Sequence, residues 1–200
     1  FMTGCSSNHF YESQDAVASI QKFFPGKHIL YYDWGLKPAQ IAAVKTWCSV
    51  EYRKMDITDF AVAKELNNSL PYTIYAAKLI SVHHALQDFD GVFWLDASIR
   101  FTGGDLTPVF KKARQNGGLV FVSRLFHSSY SATHPKTYDY LPTDQERLKT
   151  VHQMETCHFV YKSEAIYKNI SWWLFLCALQ KDCISPIYNL TCKFPNKEYM

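Results

Sequence analysis

Two runs in this sequence are apolar at every position rather than at every second one: Val92-Phe93-Trp94-Leu95 and Leu119-Val120-Phe121-Val122. A strand with one face in water alternates apolar and polar side chains. A strand without alternation is covered on both faces, as in a parallel sheet sandwiched between helices. The rest of the chain follows that reading. His28-Ile29-Leu30-Tyr31-Tyr32 is a further short apolar strand ending at Asp33, and Val50-Glu51-Tyr52 another. Met2 to Ser6 and Thr156 to Tyr161 are also strand-like.

Helical periods lie between the strands. Val17, Ile20 and Phe24 space a helix over about 13–24, stopped by Pro25-Gly26. Pro38 opens a second, with Ile41, Val44 and Cys48 on one face. Tyr72, Tyr75, Ala76, Leu79, His83 and Leu86 recur at three and four, which predicts an amphipathic helix over 72–86. Thr107 caps a helix closed by Gly117-Gly118. Thr143-Asp144-Gln145-Glu146 fits a capping box for a helix to about Met154, and Ser163 starts one running to Cys177. Residues 183–200 read as loop. The alternation predicts one α/β domain over 1–200, a mainly parallel sheet flanked by helices. Phe1 stands mid-strand and Met200 ends the chain abruptly, so the domain is expected to continue beyond both ends.

Composition narrows the class. With 48% apolar and 20% charged residues the chain is neither disordered nor low-complexity. A net charge of +3, with the basic residues scattered, excludes a nucleic-acid surface. The longest strongly apolar run, Trp172 to Leu179, is far shorter than the roughly 20 residues needed to span a bilayer. Six cysteines permit full pairing. Cys5, Cys48 and Cys157 fall in strand or helix patterns that suit buried thiols, whereas Cys177, Cys183 and Cys192 cluster near the end, where disulfides are expected. Sequons at Asn67, Asn169 and Asn189 agree with the cysteines on a secretory lumen. No CxxC, GxGxxG, P-loop or GxSxG pattern is present.

Ligands of open α/β sheets bind at the carboxyl ends of the strands, so chemistry is sought there. Asp96 follows the apolar Val92–Leu95 run, and a carboxylate at such a place needs a cation, a metal or hydrogen-bond donors. It either serves a phosphorylated ligand or pairs with nearby Arg100. Asp33 ends its strand in the same way and either contacts a nucleoside or forms the turn at Trp34-Gly35. Ser6, Ser7 and Asn8 are small residues that let a nucleotide approach the backbone. Arg53 and Lys78 are possible phosphate partners, although Lys78 on its helix reads first as a solvated side chain. His83 and His84 are adjacent, point to different sides and make no joint metal site.

Phe93-Trp94-Leu95-Asp96-Ala97-Ser98 resembles the aromatic-apolar-Asp-x-Asp strand end of glycosyltransferases with the nucleotide-sugar-binding A-type fold. Ser6-Ser7-Asn8-His9-Phe10, Tyr32-Asp33-Trp34-Gly35-Leu36, Ser49-Val50-Glu51-Tyr52-Arg53 and Leu95 to Phe101 resemble the domain of unknown function 1647 family; Cys177-Ala178-Leu179 with Cys183-Ile184-Ser185-Pro186 is a weaker match.

The resemblance implies a transferase taking sugar from a nucleotide-sugar donor to a glycan or protein acceptor. It implies a Golgi or endoplasmic reticulum lumen, or secretion, with any membrane contact made through a segment outside this chain. Ser6, Asn8, Asp33 and Arg53 would bind the nucleotide; Asp96 and Arg100 would be catalytic. Asp96 would also be the ligand of a manganese or magnesium ion, but Ser98 replaces the second acidic residue, and a hydroxyl is a poor ligand for a hard dication. The acceptor side and any later metal ligand would lie in 127–145 or beyond Met200. Ser98 also favours a rival, a catalytically silent binding or scaffold domain of the same fold. A hydrolase using Asp33 with Asp96 is a third reading, which requires both carboxylates in one cleft.

Overall fold

The computed structural model describes residues 1–55, 70–122, 124–154, 157–162, 165 and 167–186. The sequons at Asn67 and Asn189, Cys192 and the expected helix start at Ser163 lie outside the described residues.

The first half alternates strand and helix: β1 (Met2–Cys5), α1 (Phe10–Phe23), β2 (Ile29–Asp33), α2 (Pro38–Val44) and β3 (Val50–Lys54). Then come α3 (Leu70–Asp88), β4 (Gly91–Trp94), α4 (Thr107–Gln115) and β5 (Leu119–Phe121). Short pieces follow: β6 (Arg124–Ser128), α5 (Ser129–Ala132), α6 (Thr137–Tyr140), α7 (Gln145–Leu148), β7 (His152–Met154) and β8 (His158–Tyr161). A π turn at Tyr167–Ser171 leads into α8 (Trp172–Leu179) and α9 (Lys181–Ile184).

Six strands form the main sheet in the order β3-β2-β1-β4-β8-β5, and β6 pairs with β7 in a separate ribbon. β1, β2, β3 and β4 run parallel, as the unbroken apolar runs predict, while β8 is antiparallel to both β4 and β5. The strand pleat divides the core in two. Tyr31, Phe93 and Leu95 face a cluster with Val17 and Ile20 of α1 and Val44 of α2. Leu30, Tyr32, Val92 and Trp94 face the opposite cluster, closed by Ala77, Ala85 and Leu86 of α3. Burying each large apolar side chain stabilises the fold by about 1.5–3 kcal/mol, so the two-sided sheet supplies most of the cohesion.

α3 departs from the single-face pattern. Its Ala76 and Ile80 pack on Ala178 of α8 while Ala77 and Leu86 pack on the sheet. Helix α3 is therefore covered on two sides, and Tyr75 of the expected apolar face is 60% exposed.

Three local expectations are corrected. The helix expected over 143–154 stops at Leu148, because residues 152–154 pair with β6 instead; its cap is Asp144, whose carboxylate accepts from Arg147 N–H. Thr107 is the first residue of α4 rather than its cap, and its N–H donates to Asp105 Oδ1 at 2.8 Å. α2 ends at Val44, so Cys48 lies in the following turn and is exposed. Cys5 and Cys157 are buried, as expected, and Cys177 bonds Cys183. No described helix is long and apolar enough to cross a membrane.

Gly4 shows how closely the strands meet beside the site. A Cβ there would lie 2.8 Å from the Tyr32 carbonyl oxygen and 2.9 Å from the Tyr32 Cβ. Both atoms are fixed by the sheet. Gly4→Ala is expected to destabilise the protein by about 1–3 kcal/mol, the usual cost of overpacking, read as a lower denaturation midpoint; an unchanged midpoint would refute this packing account.

Candidate functional site

The strand order fixes where a cleft must open. From β1 the chain winds outward through β2 and β3, then returns to place β4 on the other flank of β1. The strand order thus reverses between β1 and β4, and at such a switch point a crevice remains above the carboxyl ends of the strands. The β1–β4 ladder contains a single register pair, Met2 with Trp94, so Gly4 and Cys5 extend past β4 and open one side of β1 to that crevice. The cavity there measures about 620 Å³, within the range of small-molecule sites.

Four segments build it, one of them the turn after β2 with Trp34 and Gly35. The turn after β1 contributes Ser6, Ser7 and Asn8, with Ser6 Oγ donating to Asn8 Oδ1. The strand end after β4 contributes Asp96 and Ser98, and α3 contributes Tyr75 and Lys78. At the rim His9 Nδ1 meets Glu12 Oε2 at 2.5 Å. Asp96 is held from two sides. The Trp94 indole N–H donates to Asp96 Oδ1 at 3.0 Å, and Lys78 Nζ lies 2.8 Å from the same oxygen. Trp94 is itself stacked on Trp34 at 5.6 Å, and the Trp34 indole N–H donates to Ser81 Oγ on α3. Stacked rings in the core thus set the carboxylate's position. Beneath the pocket, burial raises the Cys5 thiol above its ordinary range, against the opposing hydrogen bonds of Tyr31 and Ser13.

Of the residues expected at the site, Ser6, Asn8 and Asp96 come together here. Asp33, Arg53 and Arg100 do not stand among the described cavity walls. Asp33 is buried; its Oδ1 accepts from Gly35 N–H at 2.8 Å and Leu36 N–H at 2.6 Å, and its Oδ2 accepts from Tyr52 OH at 2.6 Å. It holds the turn after β2, the alternative to nucleoside contact. Arg53 lies between Glu51 at 2.6 Å and Asp88 at 2.7 Å, pinning β3 to the end of α3. Arg100 donates to the carbonyls of Ala97 and Ile99 and reaches Asp15, so it braces the loop after Asp96. Asp96 pairs with Lys78 rather than with Arg100. Asp33 and Asp96 do not share a cleft, which removes the basis of the paired-carboxylate hydrolase.

Lys78 is the residue that sequence reasoning undervalued. Far from being a solvated surface group, its side chain is only 18% exposed and lies in the cavity. A signal was present: between Leu70 and Gln87, Lys78 is the only Asp, Glu, Lys or Arg. A lone cation inside an otherwise apolar helix needs a partner.

A divalent cation does not fit the described residues around Asp96. Ser98 offers only a hydroxyl, an ammonium already stands 2.8 Å from the carboxylate, and among the described residues no three His, Cys, Asp or Glu side chains converge.

The model of a protein family of unknown function, the domain of unknown function 1647, matches residues 1–72. No curated protein matches the chain in sequence. Among solved structures, galactosyltransferase LgtC in complex with donor and acceptor sugar analogs is similar with a TM-score of 0.53 and 15% identity, over 86% of this chain and 63% of that one. The mannosyltransferase Ktr4p from S. cerevisiae has a TM-score of 0.54 and 10% identity, over 90% of this chain and 60% of its own. Mouse xyloside xylosyltransferase 1 in its apo form gives 0.51 and 8%, over 92% and 74%. The chain thus spans less than two thirds of the first two. The protein has the A-type glycosyltransferase fold, and its first 72 residues match the domain of unknown function 1647.

Proposed function

We propose that the crevice above β1 and β4 is a nucleotide-sugar donor site, and that the protein transfers a sugar from that donor to a hydroxyl of a glycan or protein acceptor. The observation that carries this reading is the convergence of Ser6, Asn8 and Asp96 with Lys78 in one cavity at the sheet's switch point. Small side chains in the turn after β1 leave room for a nucleotide to approach the backbone. The chemical demand in such a transfer is stabilising the diphosphate as it departs, which favours fixed positive charge near the phosphates. Lys78, held by Asp96, is the described cation within the cavity walls that is not at its rim. The disulfide Cys177–Cys183 and the exposed Asn169 of the Asn169-Ile170-Ser171 sequon support a luminal or secreted setting, in the Golgi or endoplasmic reticulum.

The test is calorimetric titration of the full-length protein with uridine and guanosine diphosphates, followed by chromatographic assay of the matching nucleotide sugars with glycan acceptors. Binding in the micromolar range is expected for one of them, together with acceptor-dependent loss of donor. Asp96→Ala is expected to weaken binding by about tenfold, since it releases Lys78 from its position. Absence of binding by a folded protein would sink the donor-site reading. Binding without turnover would establish the rival, a silent nucleotide-binding scaffold, which Ser98 in place of a second carboxylate favours.

A further inference from the structure

We propose that Lys78 takes the place of a metal ion at this site, so that the protein binds a nucleoside diphosphate without a divalent cation, through the Lys78 ammonium fixed by Asp96. The proposal rests on the donor-site reading above and specifies how that site meets the phosphates.

The argument begins with what the ammonium touches. Lys78 Nζ lies 2.8 Å from Asp96 Oδ1 and 5.4 Å from the centre of the Tyr75 ring. Asp96 is in turn fixed by the Trp94 indole. An ammonium has three N–H donors and no acceptor. One donor satisfies Asp96, and the cavity is open to the same side chain. A lysine normally extends its charge toward bulk water; this one is drawn into the crevice and is mostly buried. α1 presents its N-terminal end to the same cavity through His9 and Glu12, and a helix start favours an anion. Glu12 opposes this locally but is paired with His9.

A dication bound by Asp96 would have to displace this ammonium or stand within a few ångströms of it. Like charges so close in a part-buried site repel strongly. Ser98, the other side chain of the strand-end motif, brings no charge to offset that repulsion, and Glu12 at the rim is paired with His9. Asp96 then serves as a positioning residue for Lys78.

The experiment is calorimetric titration of the full-length protein with uridine and guanosine diphosphates, in EDTA and again with manganese, for the wild type, Lys78→Met and Lys78→Arg. Thermal melts establish that each variant is folded. The expected result is wild-type binding in EDTA that manganese changes by less than about threefold, a loss of about tenfold or more in Lys78→Met, as befits one charge-assisted contact, and recovery in Lys78→Arg. Tightening of the wild type by manganese of about tenfold or more would overturn the proposal and leave the donor site standing. Lys78→Met binding as well as wild type in EDTA would also overturn it. A folded wild type that binds neither nucleotide under either condition would overturn both the proposal and the donor-site reading.

Discussion

Asp33→Ala is expected to lower the melting temperature by about 10 °C and to loosen the crevice wall formed by Trp34 and Gly35. The carboxylate is 3% exposed and accepts three hydrogen bonds, two from backbone N–H groups and one from a phenol. Hydrogen bonds to a charged acceptor contribute about 1.5–3 kcal/mol each, and donors left unsatisfied after burial cost a comparable amount. The three share one group and are not additive, so a loss of about 4 kcal/mol is expected. For a chain of this size each kcal/mol moves the midpoint by about 2–4 °C. Tyr52, whose hydroxyl is pushed up to about 12 by burial and by donation to Asp33, would lose its acceptor. Asp33→Asn retains an acceptor for the turn and should recover part of the loss. Calorimetric melts of both variants measure this. A variant that melts like the wild type yet no longer binds nucleotide would instead make Asp33 a ligand contact.

Trp94→Ala is expected to cost about 3–5 kcal/mol, the range for emptying a large aromatic site in a core. The ring is 1% exposed, lies in the middle of the sheet and stacks on Trp34 with planes 18° apart. Its removal opens a cavity between β4 and α3 and frees one oxygen of Asp96 from its indole donor. Trp94→Phe separates the two effects. It keeps most of the packing but removes the N–H, so the expected stability loss falls to about 1–2 kcal/mol, and any larger defect in nucleotide titration reports the disorder of Asp96. Equilibrium denaturation gives the first quantity. If Trp94→Ala unfolds within about 1 kcal/mol of the wild type, the stacked pair does not hold the core as described.

What the sequence made legible was local. The unbroken run Val92–Leu95 marked a strand covered on both faces, and the acid directly after it marked the crevice at Asp96; the same pattern at Leu119–Val122 falls instead on an edge strand, with Phe121 37% and Val122 49% exposed. Ser6 and Asn8 were found for the same reason, since the residues after a parallel strand sit at the ligand-binding end. Asp33 obeyed the same positional rule and yet faces its own turn, because Gly35 and Leu36 offer N–H groups two and three residues away that win over a distant ligand. Arg53 is claimed by Asp88, which only the folded chain brings within reach, and Arg100 by the carbonyls one and three residues before it. The helix expected to reach Met154 yields to a pairing between residues 124–128 and 152–154, a partnership that no local pattern announces. Lys78 was visible as a helix residue, but its partner lies 18 positions onward and across a strand.

Ser98 is exposed, and neither sheet cluster includes it. Its side chain bears on what the crevice attracts while contributing little to the scaffold beneath. Such a position is free to drift: a lineage could exchange carboxylate for hydroxyl there, or reverse the exchange, with selection on folding blind to the event. Architecture and chemistry are thereby uncoupled at this one residue, and relatives sharing the scaffold need not share a reaction.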